Sequence, residues 1–259
     1  MKYFVLLTVV AIMAVSCSLG SMPDEENIAL LINSHRNTLF SNYAFGEKEE
    51  PVKSPINALS WYRAQRDTMR RRIEIDIEKD SASVTVKNII PGYLNVNYVN
   101  DSLDTVMLQK SYTDTIVRYA YCIKDTVKNH FGGWRMESVS SGIVQGDSLV
   151  AIDSVKLSAG SYIDTIIDNP AAPFKLDNMM TLPPGIEIEV TVYSASTEQY
   201  FVHHDKRRGE AVNGALSFKL SYFEGYNSIT PDIITGSSVN TDDSDYFSEM
   251  WILPLYIEE

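Results

Sequence analysis

The sequence predicts an α+β fold, with helices packed on a curved antiparallel sheet, followed by an all-β sandwich. Three observations support this: a helical spacing of apolar residues near the N-terminus, a change to a period of two after residue 72, and strand-like segments without helix signals beyond residue 148. A chain of 259 residues is long for a single core. We therefore expect an α+β domain over 21–140, a linker over 141–148 and a β-sandwich over 149–259.

Two helices are predicted before the change of period. The first begins at Ser21, which can cap it, with acidic residues in the first turn. The second begins at Ser54-Pro55, because proline is favoured at the first helical position. The residues at helical spacing are Ile28, Leu31, Ile32, His35 and Leu39 in the first, and Ile56, Leu59, Tyr62 and Met69 in the second.

A β-hairpin is predicted directly after Arg72. Residues 73–78 alternate isoleucine with acidic residues, and Lys79-Asp80 supplies a turn. Residues 82–86 then alternate apolar residues with serine and threonine. Such alternation is typical of strands with one buried face. Further strand-like runs continue to Val139, so the helices are expected to cover one face of a meander.

The second half of the chain reads as strands separated by turns. Turn-forming residues interrupt the pattern at 141–148. The clearest element is Pro183-Pro184-Gly185, a turn that leads into alternating apolar and polar residues over 186–192. Several short strands with turns between them predict a sandwich.

Each half resembles a known fold family. Residues 21–140 resemble nuclear transport factor 2-like domains, in which helices precede a curved meander that ends in a glycine–tryptophan strand, here Gly132-Gly133-Trp134-Arg135-Met136. Residues 149–259 resemble immunoglobulin-like or fibronectin-like sandwiches. The first family includes enzymes and non-enzymes, so the resemblance implies a fold but no site residues.

The N-terminus has the pattern of a signal segment. Lys2 precedes an apolar run over 3–15, and Ala14-Val15-Ser16 leads to Cys17. The run is shorter than the roughly 20 apolar residues that a membrane-spanning helix needs. It resembles bacterial lipoprotein signal segments, which implies removal of residues 1–16 and lipid on Cys17. An ordinary signal peptide with a chance cysteine is the alternative.

The lipoprotein resemblance also implies a location. Residues 17–20 would form a lipidated tether, and Ser18 in place of aspartate favours the outer membrane if the cell has two membranes. Multiple acyl chains make such an anchor stable. We therefore expect a protein of the cell envelope that is attached to the membrane through its N-terminal lipid.

Net charge limits the binding partners that we expect, and cysteine content limits the possible disulfides. The net charge of the chain is −12, and removal of Lys2 makes it one unit more negative. An acidic surface repels nucleic acid, which we exclude as a partner. If Cys17 is acylated, Cys122 has no partner for a disulfide within the chain. Its strand-like surroundings predict a buried, inert thiol.

Two segments contain potential metal ligands. His203 and Asp205 would share one face of a continuing strand, and a loop with Asp242, Asp243 and Asp245 could add ligands. A charged hairpin turn at a solvated strand end explains the first segment as well. The acidic loop lacks the glycine and the glutamate that a calcium loop requires. We therefore expect no metal and no cofactor.

Arg70, Arg71 and Arg72 form the strongest basic run. They could bind an anion or a lipid headgroup, although cations are also common at the solvated C-terminal end of a helix. Aromatic residues at alternate positions of the second half could stack on a sugar, but most of them should belong to the core.

The sequence contains no local pattern of nucleophile and base. It has no glycine-rich phosphate loop and only four histidines. We therefore expect a non-enzymatic binding or structural module close to the membrane surface, with an envelope protein or a glycan as its partner. The alternative is a small-ligand-binding or catalytic domain in residues 21–140, since buried carboxylate pairs are spatial rather than sequential.

Overall fold

The protein is described by a computed structural model over residues 22–42, 58–100, 102–125, 130–145, 150–195, 199–204, 207–211, 214–220, 224–239 and 246–258. Strands contain 62% of these residues and helices 11%. The helices are α1 (Asp24–Ser34) and the short α2 (Gly236–Val239), with 3-10 turns at His130–Gly133 and Leu176–Asn178. The strands are β1 (Ala58–Gln65), β2 (Arg70–Glu78), β3 (Ser81–Val99), β4 (Thr105–Lys124), β5 (Trp134–Val139), β6 (Gly142–Gln145), β7 (Ser154–Ala159), β8 (Ile163–Ile167), β9 (Phe174–Lys175), β10 (Thr181–Leu182), β11 (Glu187–Tyr193), β12 (Gln199–His204), β13 (Arg207–Glu210), β14 (Ala215–Lys219), β15 (Gly225–Ile234) and β16 (Ser248–Ile257).

The prediction of an α+β domain with helices packed on the sheet is wrong. The fold is mostly β, and α1 is the one helix longer than four residues in the described part of the chain. The segment predicted as a second helix contains strand β1. Its inward-facing residues include Trp61 and Arg63, both buried. Because a charged residue occupies a buried position, the alternation of apolar and polar residues that indicates a strand is absent from this segment. Pairing with β3 determines that residues 58–65 are extended.

Most strands join one curled antiparallel sheet. Its strand order is β1-β3-β4-β6-β16-β15-β12-β13, and β3 pairs with β4 along the whole length of β3. The sheet curls until its two ends meet. Arg208 on β13 donates from Nη2 to the carbonyl oxygen of Trp61 on β1 over 2.8 Å. The inward face therefore encloses an interior to which both halves of the chain contribute.

The predicted hairpin is confirmed, and a first helix is present but runs from Asp24 to Ser34, with Pro23 rather than Ser21 at its N-cap and with His35 and Leu39 beyond its end. Strands β2 and β3 pair from Arg70↔Ile89 to Glu78↔Ser81, around the turn at Lys79-Asp80. Helix α1 closes one end of the curled sheet, with Ile28 and Ile32 fully buried in the same cluster as Val84 and Cys122. The prediction of a buried Cys122 is confirmed, and burial raises the pKa of its thiol to about 12, which disfavours the reactive thiolate.

A second sheet packs on the outside of the curled one. Its strand order is β14-β11-β7-β8. Residues of this sheet share a hydrophobic cluster with the outward face of β12, β15 and β16. Strand β16 is buried on both faces: Trp251 and Leu253 join this cluster, whereas Met250 and Ile252 point into the curled sheet. The layer formed by β12, β15 and β16 therefore has a hydrophobic cluster on each face, one inside the curled sheet and one against the second sheet.

The stretch predicted as a linker contains a strand. Residues 142–145 form β6, which pairs with β4 on one side and with β16 on the other. The division into units at 21–140 and 149–259 stays a prediction. In the described residues, no helix combines the length and the apolar character that crossing a bilayer requires.

Candidate functional site

The interior of the curled sheet contains charged side chains at regular strand positions. Paired residues of antiparallel strands point to the same face, so the register defines rows across the interior. One row crosses six strands and contains Arg71, Asn88, Ile116, Val144, Met250 and Asp232. The next row contains Ile73, Val86 and Arg118. The charged side chains form two groups. In one group opposite charges are paired, and in the other the described residues provide no carboxylate for the cations.

The first group, which we name the ion-pair cluster, consists of Arg63, Asp232, His203, Tyr246 and Asp114. Arg63 donates from Nη1 to Oδ2 of Asp232 at 2.7 Å and from Nη2 to Oδ1 at 3.1 Å. Nε2 of His203 lies 2.9 Å from Oδ2 of Asp232. An ionised carboxylate only accepts, so the histidine is the donor.

The cluster continues through the hydroxyl of Tyr246. This oxygen accepts from Nε of Arg63 at 2.7 Å and from Oγ of Ser248 at 2.8 Å. It donates to Oδ2 of Asp114 at 3.1 Å. Burial raises the pKa of Tyr246 well above its ordinary value, so the phenol stays protonated and can donate. Strands β1, β4, β12 and β15 are thereby linked through one polar chain.

Burial and charge act in opposite directions on Asp232. Burial alone would raise the pKa of this carboxyl, which is completely shielded from solvent. The charge of Arg63 and the hydrogen bond from His203 outweigh burial and hold the pKa below its ordinary value. Asp232 is therefore ionised at neutral pH and balances the guanidinium.

Aromatic rings surround the ion-pair cluster. The Arg208 guanidinium carbon lies 3.6 Å from the centroid of the Trp61 ring, and Trp61 meets Phe201 edge to face at 5.2 Å. Tyr112 stacks on Tyr246 with centroids 4.6 Å apart. The rings exclude water from the charges, which strengthens each electrostatic contact.

The second group, which we name the arginine cluster, consists of Arg71 and Arg118. Only 1% of Arg118 is exposed, and its Nη2 donates to the carbonyl oxygen of Ser41 at 2.7 Å. Its Nη1 is buried without a hydrogen-bond partner, as are all three guanidinium nitrogens of Arg71. Within the described ranges, neither arginine forms an ion pair with a carboxylate. Two cations with buried guanidinium nitrogens thus lie close together, and the described residues supply no counterion.

The described neighbours that act on the arginine cluster are an aromatic ring and other cations. The Arg71 guanidinium carbon lies 5.6 Å from the centroid of the Phe40 ring. Burial, and next the charge of Arg71, lower the pKa of Arg118 to about 9. Burial, and next the charge of Arg36, lower the pKa of Arg71. Gly142 leaves room for Arg118, because a Cβ at this residue would lie 2.9 Å from the guanidinium carbon.

The predicted basic run divides into one partly buried and two exposed residues. Arg70 and Arg72 are exposed, and Arg72 pairs with Glu74 at 3.1 Å. Arg71 continues the inward face formed by Ile73 and the isoleucines beyond it. The interpretation as a helix end is wrong, because Arg70 begins strand β2. The anion-site prediction for the three arginines stays a prediction, and Arg71 is the one whose guanidinium nitrogens are buried.

The structure describes one of the predicted metal ligands. His203 is buried and contacts Asp232 rather than projecting from a solvated strand end, which corrects that interpretation. Asp205, Asp242, Asp243 and Asp245 lie outside the described residues, as does Cys17. Among the described residues, no group of three or more histidine, cysteine, aspartate or glutamate side chains could hold a metal.

The aromatic residues of the second half serve mainly as core. Phe201, Tyr246 and Trp251 are buried, whereas Tyr193 and Tyr226 are exposed. Sequence reasoning did not single out Arg63, Asp114 or Arg118 as site residues. A signal existed, since each of them occupies an inward position of a strand whose neighbours at i±2 include buried residues.

Comparison of the chain with known proteins gives no match, either to a protein-family model, to a curated protein or to a solved structure. The resemblances to nuclear transport factor 2-like and immunoglobulin-like or fibronectin-like domains stay predictions.

Proposed function

We propose that this protein is a lipid-anchored, non-enzymatic binding or structural module of the bacterial cell envelope. The observation that supports this function best is the ion-pair cluster. Its charged groups bond to one another: Asp232 accepts from Arg63 and His203, and Tyr246 joins Arg63 to Asp114. Groups held in this way stabilise a scaffold rather than exchange protons with a substrate.

The packing around the cluster supports the same function. Aromatic and aliphatic side chains fill the interior beside the charges, including Trp61, Leu94 and Phe201, all fully buried. The polar chain joins β1 and β4 to β12 and β15, so the sheet resists opening. A rigid body of this kind presents constant surfaces, which suits a protein that binds an envelope protein or a glycan.

The proposed anchor places the partner near the membrane. Three residues separate Cys17 from Ser21, and an extended residue spans about 3.5 Å, so the tether adds only about 10 Å. The negative net charge disfavours contact of the body with anionic headgroups. The partner is therefore expected within a few nanometres of the membrane surface.

The anchor is tested by replacing each cysteine in turn. Cys17→Ser should abolish fatty-acid labelling and release the protein from the membrane fraction, because lipid on this residue is the proposed attachment. Cys122→Ser is the matched control. It removes the other cysteine, which is buried and has a raised pKa, and should leave labelling unchanged. Continued labelling of Cys17→Ser would contradict the lipoprotein proposal.

A second candidate function is small-ligand binding or catalysis by residues 21–140. One observation favours the binding form of it: the arginine cluster lies within these residues and has hydrogen-bond donors without partners.

A further inference from the structure

The arginine cluster is the one place in the described interior where buried charge accumulates with a single sign. Elsewhere in the interior, Asp232 balances Arg63. An uncompensated ion that is taken out of water costs several kcal/mol, and two like charges repel each other in addition. Loss of a proton does not relieve this cost of burying charge, because a pKa of about 9 leaves Arg118 positively charged at neutral pH.

We propose that Arg71 and Arg118 bind a small dianionic oxyanion, such as phosphate, a phosphate monoester or sulfate. Four guanidinium nitrogens in the two side chains are buried without a hydrogen-bond partner. The planar fork of a guanidinium matches two oxygens of a phosphate or sulfate group, and such charge-assisted bonds are about twice as strong as neutral ones. Two positive charges also match the two negative charges of the ligand. The inference rests on this cluster alone and is independent of the lipid anchor.

The surroundings hold both side chains in place for such a ligand. Arg118 is oriented by its hydrogen bond to Ser41 and by the space over Gly142. Arg71 lies over the Phe40 ring and pairs across the sheet with Asn88, whose Nδ2 donates to Oδ1 of Asn42 at 3.0 Å. Burial of the donors strengthens each bond to an anion, because little water competes.

Thermal unfolding and calorimetric titration of the purified protein test the site. Sodium phosphate, sodium sulfate and glycerol phosphate are compared with sodium chloride at equal ionic strength. A ligand that binds the folded state raises the unfolding midpoint in a concentration-dependent way. We expect this shift with one or more of the oxyanions and none with chloride. The ranking of the three separates a free ion from a monoester, and no shift with any of them overturns the proposal.

Substitutions then identify the residues. Arg71→Gln and Arg118→Met should each weaken binding at least about tenfold, which equals about 1.4 kcal/mol. Arg72→Gln is the matched control, since Arg72 belongs to the same basic run but is exposed and pairs with Glu74. It should bind as the unsubstituted protein does. If Arg118→Met fails to fold, Arg71→Gln decides, and unchanged binding by that variant overturns the assignment.

A competing occupant is a carboxylate of the chain itself. Glu47, Glu49 and Glu50 follow Asn42 closely in the sequence. A variant with all three replaced by Gln should bind phosphate as the unsubstituted protein does. If instead only this variant binds phosphate, its own carboxylates compete for the arginines and the proposed ligand is wrong.

Discussion

The ion-pair cluster and the arginine cluster lie in the same curled sheet and solve the problem of buried charge in different ways. In the first, Arg63 meets a carboxylate that arrives from β15, far away in the sequence. In the second, Arg71 and Arg118 lie near each other, with no carboxylate paired to either in the described part of the chain. The comparison indicates that charge inside this sheet has two uses: the paired group joins strands, and the unpaired group is available to an external anion.

The largest expected effect is loss of the paired carboxylate. Asp232→Asn keeps the shape of the side chain but removes the negative charge to which both terminal nitrogens of Arg63 donate. Removing one partner of a buried ion pair costs about 3–5 kcal/mol of unfolding free energy, which denaturant unfolding measures.

The matched control is Asp164→Asn. Asp164 pairs with Lys156 at 3.0 Å on the surface, with 67% of its side chain exposed, so no measurable change is expected. Equal effects of the two substitutions would contradict a joining role for the ion-pair cluster.

The next effect concerns the space above Gly142. Gly142→Ala places a Cβ against the Arg118 guanidinium, and crowding in a packed interior costs about 1–3 kcal/mol. The same substitution in an Arg118→Ala background should cost little, because the clashing group is absent. A double-mutant cycle measures the difference. An equal cost in both backgrounds would show that Gly142 serves the backbone rather than the arginine.

The last effect is a dependence on acidity. The folded-state pKa of Asp232 is below its unfolded value of about 3.9, so its contribution to stability is complete above that pH and is lost as the pH falls further. We expect this carboxyl to lower the unfolding free energy by about 1.4 kcal/mol per pH unit below pH about 4. Asp232→Asn should lack this component when both proteins are unfolded across the acid range. A parallel acid dependence in the two proteins would contradict the assignment.

Local patterns predicted the elements whose buried faces are apolar. Helix α1 and the β2–β3 hairpin follow from the spacing of isoleucines and leucines, and the buried Cys122 follows from the strand around it. The pattern failed at β1, where the inward position of Arg63 broke the apolar alternation. The basic run predicted an anion site. Arg71 lies on the same face of β2 as Ile73, two positions away, and therefore points into the curled sheet.

The sequence by itself therefore determined the strands and helix that bury apolar side chains and the acidic net charge, and it gave the expectations of no nucleic-acid partner and of a lipid on Cys17. Tertiary structure decided which charges meet. Asp232 lies 169 positions from Arg63, and no local period relates them. The reason is physical: a buried charge is tolerated only through partners or ligands that curling of the sheet brings within bonding distance, and that curl is a property of the assembled strands.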